Sequence, residues 1–80
     1  MELNLEFMQS VFAESLELSD DVSATLSLNS MFEEVEGWDS MGHMRIIMEI
    51  ENRLDVEFDI DEVIGVDTIE KLIKMAKNKL

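Results

Sequence analysis

The residues of this chain that are best suited to chemistry lie together at positions 37–43, which read Gly-Trp-Asp-Ser-Met-Gly-His. Asp39 is a favourable N-cap, because its carboxylate can accept a hydrogen bond from a backbone N–H two or three residues further on. Ser40 then falls in the first turn of a helix, where its hydroxyl lies at the positive end of the helix dipole. We therefore interpret Ser40 as a hydroxyl that the rest of the chain presents for the attachment of another group.

Catalysis by a serine and a histidine is the first alternative. His43 is the single histidine and lies three residues after Ser40, so the two side chains would share one helix face. A hydrolase also needs an orienting acid, an oxyanion hole and a substrate cleft. A small helical chain without a Gly-rich loop offers little of these. We interpret His43 as a polar residue packed at the flank of the helix start, and we predict that the protein is not an enzyme.

A metal site is the second alternative. Four acidic residues alternate between Asp55 and Asp61, as in the first half of a calcium-binding loop. Such a loop requires glycine at its sixth position and glutamate at its twelfth, and counting from Asp55 these positions hold Ile60 and Val66. The chain also has no cysteine, so a thiolate site is impossible. We predict no specific metal site, only weak and nonspecific binding of divalent ions.

Composition excludes further classes. The formal net charge of −13 argues against nucleic acid as a partner, because binding to phosphates relies on Lys and Arg. The same charge favours protein partners with basic surfaces. No apolar run approaches the roughly 20 residues of a membrane-spanning helix, so we predict no membrane insertion. The lack of cysteine favours the cytoplasm. We expect a monomer with one domain over residues 1–80 and a small core.

The elements that position Ser40 read as helices joined by irregular segments. The first helix is predicted from about Leu3 to Leu18, with Glu2 and Glu6 favouring its start and Ser19-Asp20-Asp21 ending it. A long connection follows to Trp38, with one helical turn near Ser30–Glu34. The second helix is predicted over Ser40–Leu54.

The C-terminal third begins with an alternating segment. Residues 55–61 are predicted as an extended loop with Val56, Phe58 and Ile60 pointing inward, because an isolated strand has no partner here. Asp61 then opens a short helix that Gly65 ends. A last helix runs from a cap at Asp67 or Thr68 to about Lys79. The inner face of this last helix is predicted to hold Ile69, Leu72, Ile73 and Ala76, with Met75 at its edge.

The resulting fold class is all-α, a small four-helix bundle of three main helices and one short helix, with a long loop between the first and second helices. The second helix carries two apolar stripes. Its isoleucines and Leu54 form one stripe that should face the core. Its methionines form a stripe on the nearly opposite side, which we interpret as a contact surface for a partner.

The motif around Ser40 resembles that of acyl carrier proteins and the related peptidyl carrier domains. Their attachment motif Asp-Ser-Leu is matched by Asp39-Ser40-Met41, and the variant Trp-Asp-Ser-Leu-Gly-His is matched by residues 38–43. The three-residue motif is short, but the resemblance spans nearly the whole chain in the order and spacing of its helices and loops. It implies that Ser40 carries 4′-phosphopantetheine through a phosphodiester, with Asp39 as part of the motif.

The resemblance also implies partners and supporting residues. A phosphopantetheinyl transferase would install the arm, and enzymes with basic docking patches would transfer acyl or aminoacyl groups to and from its thiol. Residues resembling partner-docking positions are Met41, Met44, Met48, Glu49, Glu51 and Glu57. Residues resembling the lining of an acyl pocket are Ile47, Ile50, Leu54, Phe58, Val63 and Val66.

Two positions depart from typical fatty-acid carriers. Gly42 and Arg45 stand where those carriers are acidic. We therefore expect a carrier for a specialised pathway rather than for housekeeping fatty-acid synthesis. The remaining alternative is an acidic helical interaction module without a prosthetic group, which would explain the charge and the methionine stripe.

Overall fold

All regular secondary structure in the computed structural model, which describes residues 3–80, is helical. The described helices are α1 (Leu5–Leu16), α2 (Asp20–Ala24), α3 (Ser40–Leu54), α4 (Ile60–Ile64) and α5 (Ile69–Lys77). The predicted all-α class with three longer helices is confirmed. The predicted role of Glu2 at the start of the first helix lies outside the described residues.

The long connection between α1 and α3 differs from the prediction at both ends. Ser19 was predicted to end α1, yet it caps α2, with its hydroxyl accepting a hydrogen bond from the Val22 N–H at 3.2 Å. The helical turn predicted near Ser30–Glu34 is wrong, because Glu33 has a φ of 71° and so leaves the right-handed helical region. Ser30 instead accepts a hydrogen bond from the Ser27 N–H.

Backbone hydrogen bonds hold this connection against the start of α5. The N–H groups of Ile69 and Glu70 donate to the carbonyls of Ser30 and Leu28, at 3.2 and 3.0 Å. Phe32 donates in return to the Asp67 carbonyl at 2.7 Å. The first N–H groups of a helix have no partner within it. The connection therefore satisfies groups that α5 would otherwise leave unpaired.

The core is formed where α1 packs against α3, α2 and α5. Trp38 lies at its centre, with its ring edge-on to Phe12 at 4.8 Å between centroids. The predicted inner face of α5 is buried throughout, and Met75 is buried with it. Each large apolar side chain buried in this way contributes about 1.5–3 kcal/mol of gross stabilisation. The fully buried side chains include Met8, Val11, Phe12, Trp38, Ile46, Ile50, Ile69 and Leu72.

The short helix α4 begins one residue earlier than predicted. Asp59 is its N-cap, and the Asp59 N–H donates to the Glu62 carboxylate at 3.3 Å. The prediction that Ile60 points inward is wrong, since its side chain is 69% exposed. Ile60 follows the helical period and shares the outer face with Ile64, while Val63 takes the buried position. No helix within residues 3–80 is long and apolar enough to cross a bilayer.

Candidate functional site

The chain turns sharply just before Ser40. Gly37 has a φ of +86°, a conformation that glycine adopts without strain, and it leads into the buried Trp38. Asp39 then caps α3, and its side chain accepts a hydrogen bond from the Gly42 N–H at 2.9 Å. Ser40 is the first residue of α3 and is exposed. The turn therefore places one hydroxyl at the solvent-facing start of the longest helix.

Gly42 allows the first turn of α3 to pack directly against this turn. A Cβ on Gly42 would lie 1.9 Å from the Gly37 carbonyl oxygen and 2.9 Å from Cδ2 of Leu16. No side chain larger than hydrogen fits there without moving backbone. The residue type at 42 is thus explained by packing, and its lack of charge carries no information about partners. Of Gly42 and Arg45, the two positions that depart from typical fatty-acid carriers, only Arg45 is exposed.

His43 lies at the centre of a chain of hydrogen bonds that we call the histidine bridge. The Trp38 indole N–H donates to His43 Nδ1 at 2.9 Å, and His43 Nε2 lies 2.9 Å from the Val63 carbonyl oxygen. An indole N–H can only donate and a carbonyl can only accept. The two partners therefore require the neutral tautomer, with its hydrogen on Nε2. The bridge joins the turn before Ser40 to the last part of α4.

The histidine bridge corrects the interpretation of His43 as a residue at the flank of the helix. The side chain is only 8% exposed, its ring stacks on Trp38, and its edge meets Phe32. Both ring nitrogens are engaged, so neither is available to accept a proton from Ser40. A general base must hydrogen-bond the proton that it removes. The arrangement offers no serine–histidine catalytic pair.

A groove of about 350 Å³ opens beside Ser40, and we call it the Ser40 groove. One wall is the start of α3, and the other is α4 with the residues that follow it. Its lining consists of Phe32, Ser40, His43, Met44, Ile60, Val63, Ile64, Val66 and Asp67. Apart from Ser40, His43 and Asp67, these side chains are apolar. The groove can accommodate an apolar group attached near Ser40.

The Ser40 groove overlaps only in part with the predicted acyl-pocket residues. Val63 and Val66 line it. Ile47 and Ile50 are buried in the core, and Leu54 and Phe58 pack against that core as half-buried side chains. Sequence reasoning missed Phe32, Ile60, Ile64 and Asp67. Ile60 was missed because residues 55–61 were interpreted with a period of two, although Ile60 and Ile64 have the spacing of a helix face.

The predicted docking residues fall into two groups. Met41, Met44 and Met48 are all exposed along α3, and Met44 also lines the Ser40 groove. The acidic residues nearest to them on α3 have intramolecular partners. Glu49 pairs with Arg53 at 2.6 Å, and Glu51 accepts a hydrogen bond from the Phe58 N–H at 2.9 Å. Glu57 is exposed.

Two ion pairs lie at the edges of this region. The Lys71 ammonium donates to Asp67 at 2.9 Å, and this hydrogen bond holds the pKa of Asp67 below its ordinary value. Glu62 of α4 lies 2.9 Å from the Lys79 ammonium, and this hydrogen bond raises the pKa of Lys79. Within residues 3–80, no group of three or more His, Cys, Asp or Glu side chains is arranged to hold a metal ion.

A second, larger depression of about 450 Å³ shares no lining residue with the Ser40 groove. It lies between the N-terminal residues and α5, where Leu3, Leu5 and Ile73 meet Lys74 and Lys77. It contains no serine or histidine.

The comparisons with known proteins agree with this geometry. A family model described as the phosphopantetheine attachment site matches residues 6–76, which is most of the chain and includes the whole of α3. A search of curated proteins found no match.

Proposed function

Because the chain belongs to the phosphopantetheine attachment family, whose members are non-catalytic carriers with a covalent 4′-phosphopantetheine, we propose that Ser40 bears this arm. Ser40 lies inside the matched range and is exposed at the start of α3. The group attached there would deliver acyl or aminoacyl cargo to partner enzymes.

The observation that carries the proposal is the hydrogen-bonding state of the hydroxyls. Within residues 3–80, the Ser40 hydroxyl makes no intramolecular hydrogen bond, whereas every other serine and threonine hydroxyl makes at least one. The engaged residues are Ser10, Ser15, Ser19, Ser23, Thr25, Ser27, Ser30 and Thr68. A hydroxyl that is exposed and without an intramolecular partner can be modified without loss of a structural contact. Ser40 is the residue that meets both conditions.

The surroundings of Ser40 fit a phosphodiester. The first N–H groups of α3 have no partner within the helix, and a helix start attracts anions. The Asp39 carboxylate is directed onto the Gly42 N–H and so is occupied as a cap. An arm leaving Ser40 has the apolar Ser40 groove beside it. When bound, phosphopantetheine supplies a terminal thiol that holds the cargo as a thioester.

Attachment is a transfer from coenzyme A catalysed by a separate transferase. The Ser40 oxygen forms a bond to the phosphorus next to the pantetheine, and the bond from that phosphorus to adenosine 3′,5′-bisphosphate breaks. The hydroxyl proton leaves Ser40 in the same exchange. The chain itself contributes position rather than catalysis. Tethering then raises the effective concentration of the cargo at each partner's active site.

We further propose that partners dock on the exposed side of α3. Met41, Met44 and Met48 would supply adaptable apolar contacts beside Ser40. The net charge of −13 would attract enzymes with basic patches. Glu57 is the predicted acidic docking residue that is exposed, while Glu49 and Glu51 would have to exchange their intramolecular partners. The exposed Arg45 supports partners from a specialised pathway, and the lack of cysteine supports a cytoplasmic location.

Modification in vitro tests the attachment residue. The full chain is incubated with coenzyme A and a promiscuous phosphopantetheinyl transferase, and its mass is measured. We expect a gain of one phosphopantetheine in the wild type and in Ser10→Ala, which removes another exposed hydroxyl, and no gain in Ser40→Ala. A gain that persists in Ser40→Ala would assign the arm to another residue. No gain in the wild type would instead favour the acidic interaction module.

A further inference from the structure

The two walls of the Ser40 groove are joined by one buried side chain. His43 lies on α3, one turn after Ser40, and its Nε2–H donates to the carbonyl of Val63 on α4 at 2.9 Å. Its other nitrogen accepts from the Trp38 indole, which is buried in the core. The histidine bridge therefore links α4 to the core and fixes its position relative to Ser40.

The short helix α4 has few other attachments. It lies outside the main packing of α1 against α3, α2 and α5, and two of its five side chains, Ile60 and Ile64, are 69% and 73% exposed. Val63 supplies its buried side chain. Its other side-chain tie across the chain is the Glu62–Lys79 ion pair, which is partly solvated. Exposed ion pairs contribute little, whereas a buried hydrogen bond is costly to leave unmade.

We propose that His43 is a positioning residue that holds α4 as the closing wall of the Ser40 groove, and so limits the bulk of the cargo that the groove admits. This inference rests on the proposed function of Ser40. A small acyl group fits the groove as it stands. A long acyl chain enters only if α4 moves outward, and this movement separates the Val63 carbonyl from His43 Nε2.

Two variants separate the halves of the histidine bridge. His43→Gln keeps an N–H donor near the place of Nε2, and His43→Asn keeps an acceptor near the place of Nδ1. Hydrogen exchange of the backbone amides of residues 61–66 is measured in the chain without an arm. We expect exchange close to wild type in His43→Gln and about tenfold faster in His43→Asn, the factor for loss of one buried hydrogen bond. Amides of α1 and α5 should exchange as in the wild type.

The second measurement addresses the cargo. Wild type and both variants are loaded with butyryl or myristoyl phosphopantetheine, and cleavage of the thioester by hydroxylamine is timed. In the wild type and His43→Gln, we expect the butyryl group to be shielded and the myristoyl group to be cleaved several times faster. In His43→Asn the butyryl and myristoyl thioesters should be cleaved at the same rate. The proposal would be overturned if the Gln and Asn variants had equal effects, or if the ratio of the myristoyl to the butyryl cleavage rate were the same in the wild type and both variants.

A measurement on the wild type keeps the proposal testable if His43→Asn does not fold. The nitrogen-bound hydrogen on His43 Nε2 is followed by NMR before and after loading. It should remain protected with the butyryl group and exchange faster with the myristoyl group, because that chain enters the groove only while the Val63 carbonyl is separated from His43 Nε2. Equal protection with both groups would refute the role of His43. A failure to load Ser40 refutes the proposed function and leaves the exchange comparison of the unloaded variants valid.

Discussion

Replacing Gly42 with alanine tests the close packing that presents Ser40. The added Cβ would lie 1.9 Å from the Gly37 carbonyl oxygen, which is backbone and cannot rotate away. The start of α3 must therefore move away from Gly37 by more than an ångström. This movement strains the Asp39 cap, whose acceptor lies 2.9 Å from the Gly42 nitrogen.

The expected change in the free energy of unfolding combines two destabilising effects and one stabilising effect. Overpacking costs about 1–3 kcal/mol, and loss of an N-cap costs about 1 kcal/mol. Alanine in place of glycine within a helix returns up to about 1 kcal/mol. We expect a net loss of about 2 kcal/mol in the free energy of unfolding. For a domain of this size that lowers Tm by about 10 °C.

Thermal and denaturant unfolding, followed by circular dichroism and by the fluorescence of the single tryptophan, measure this loss. Gly65→Ala is the matched control, because a Cβ on Gly65 meets nothing within 4 Å and its φ is −85°. The control should unfold within about 0.5 kcal/mol of the wild type or slightly above it. The reasoning is refuted if Gly42→Ala melts with the wild type, or if both glycine variants lose the same stability.

Three further predictions concern the cap, the methionine stripe and pH. Asp39→Ala should lose about 1 kcal/mol of unfolding free energy and Asp39→Asn should lose much less, because only asparagine keeps an acceptor for the Gly42 N–H; equal losses in denaturant titrations would contradict the capping role. Met44→Glu should leave the unfolding free energy nearly unchanged, since Met44 is exposed. The same variant should slow transfer of the arm or cargo in a kinetic assay with a partner. A large loss of helix content would instead show that Met44 supports the core. The Asp67–Lys71 pair lowers the pKa of Asp67. The small stabilisation from this pair is therefore present above the ordinary pKa of an aspartate and is lost as pH falls through the lowered value. In Asp67→Asn, the part of the fall in Tm at acidic pH that comes from this pair should be absent.

The elements with a strong helical period and clear caps were predictable from the sequence. The α3 and α5 patterns predicted both helices, and Asp39 and Thr68 lie at their N-caps. The same rule shows why α2 was missed. Ser19-Asp20-Asp21 was interpreted as a stop, although these residue types also favour the start of a new helix. Local composition alone does not distinguish the end of one helix from the start of the next.

The parts of the site that were missed depend on contacts between distant residues. Gly42 matters because Gly37 turns its carbonyl toward α3 and Leu16 closes the space behind it. His43 matters because the Val63 carbonyl, on another helix, lies opposite its Nε2. Neither contact leaves a periodic signal in the sequence. The residues nearest to Ser40 in sequence were therefore identified, but not the roles that tertiary packing gives them.

The hydrogen bonds between the long connection and the start of α5 also constrain when the site can form. They join residues 28–32 to residues 67–70, from opposite halves of the chain, so they require closure of a large loop during folding. Phe32, which lines the Ser40 groove, is held by this pairing through its N–H bond to the Asp67 carbonyl. A chain still emerging from the ribosome lacks this part of the lining until α5 has been synthesised and has docked. Completion of the groove is thus a late event in the folding of this domain, because it requires that both halves of the domain have come together.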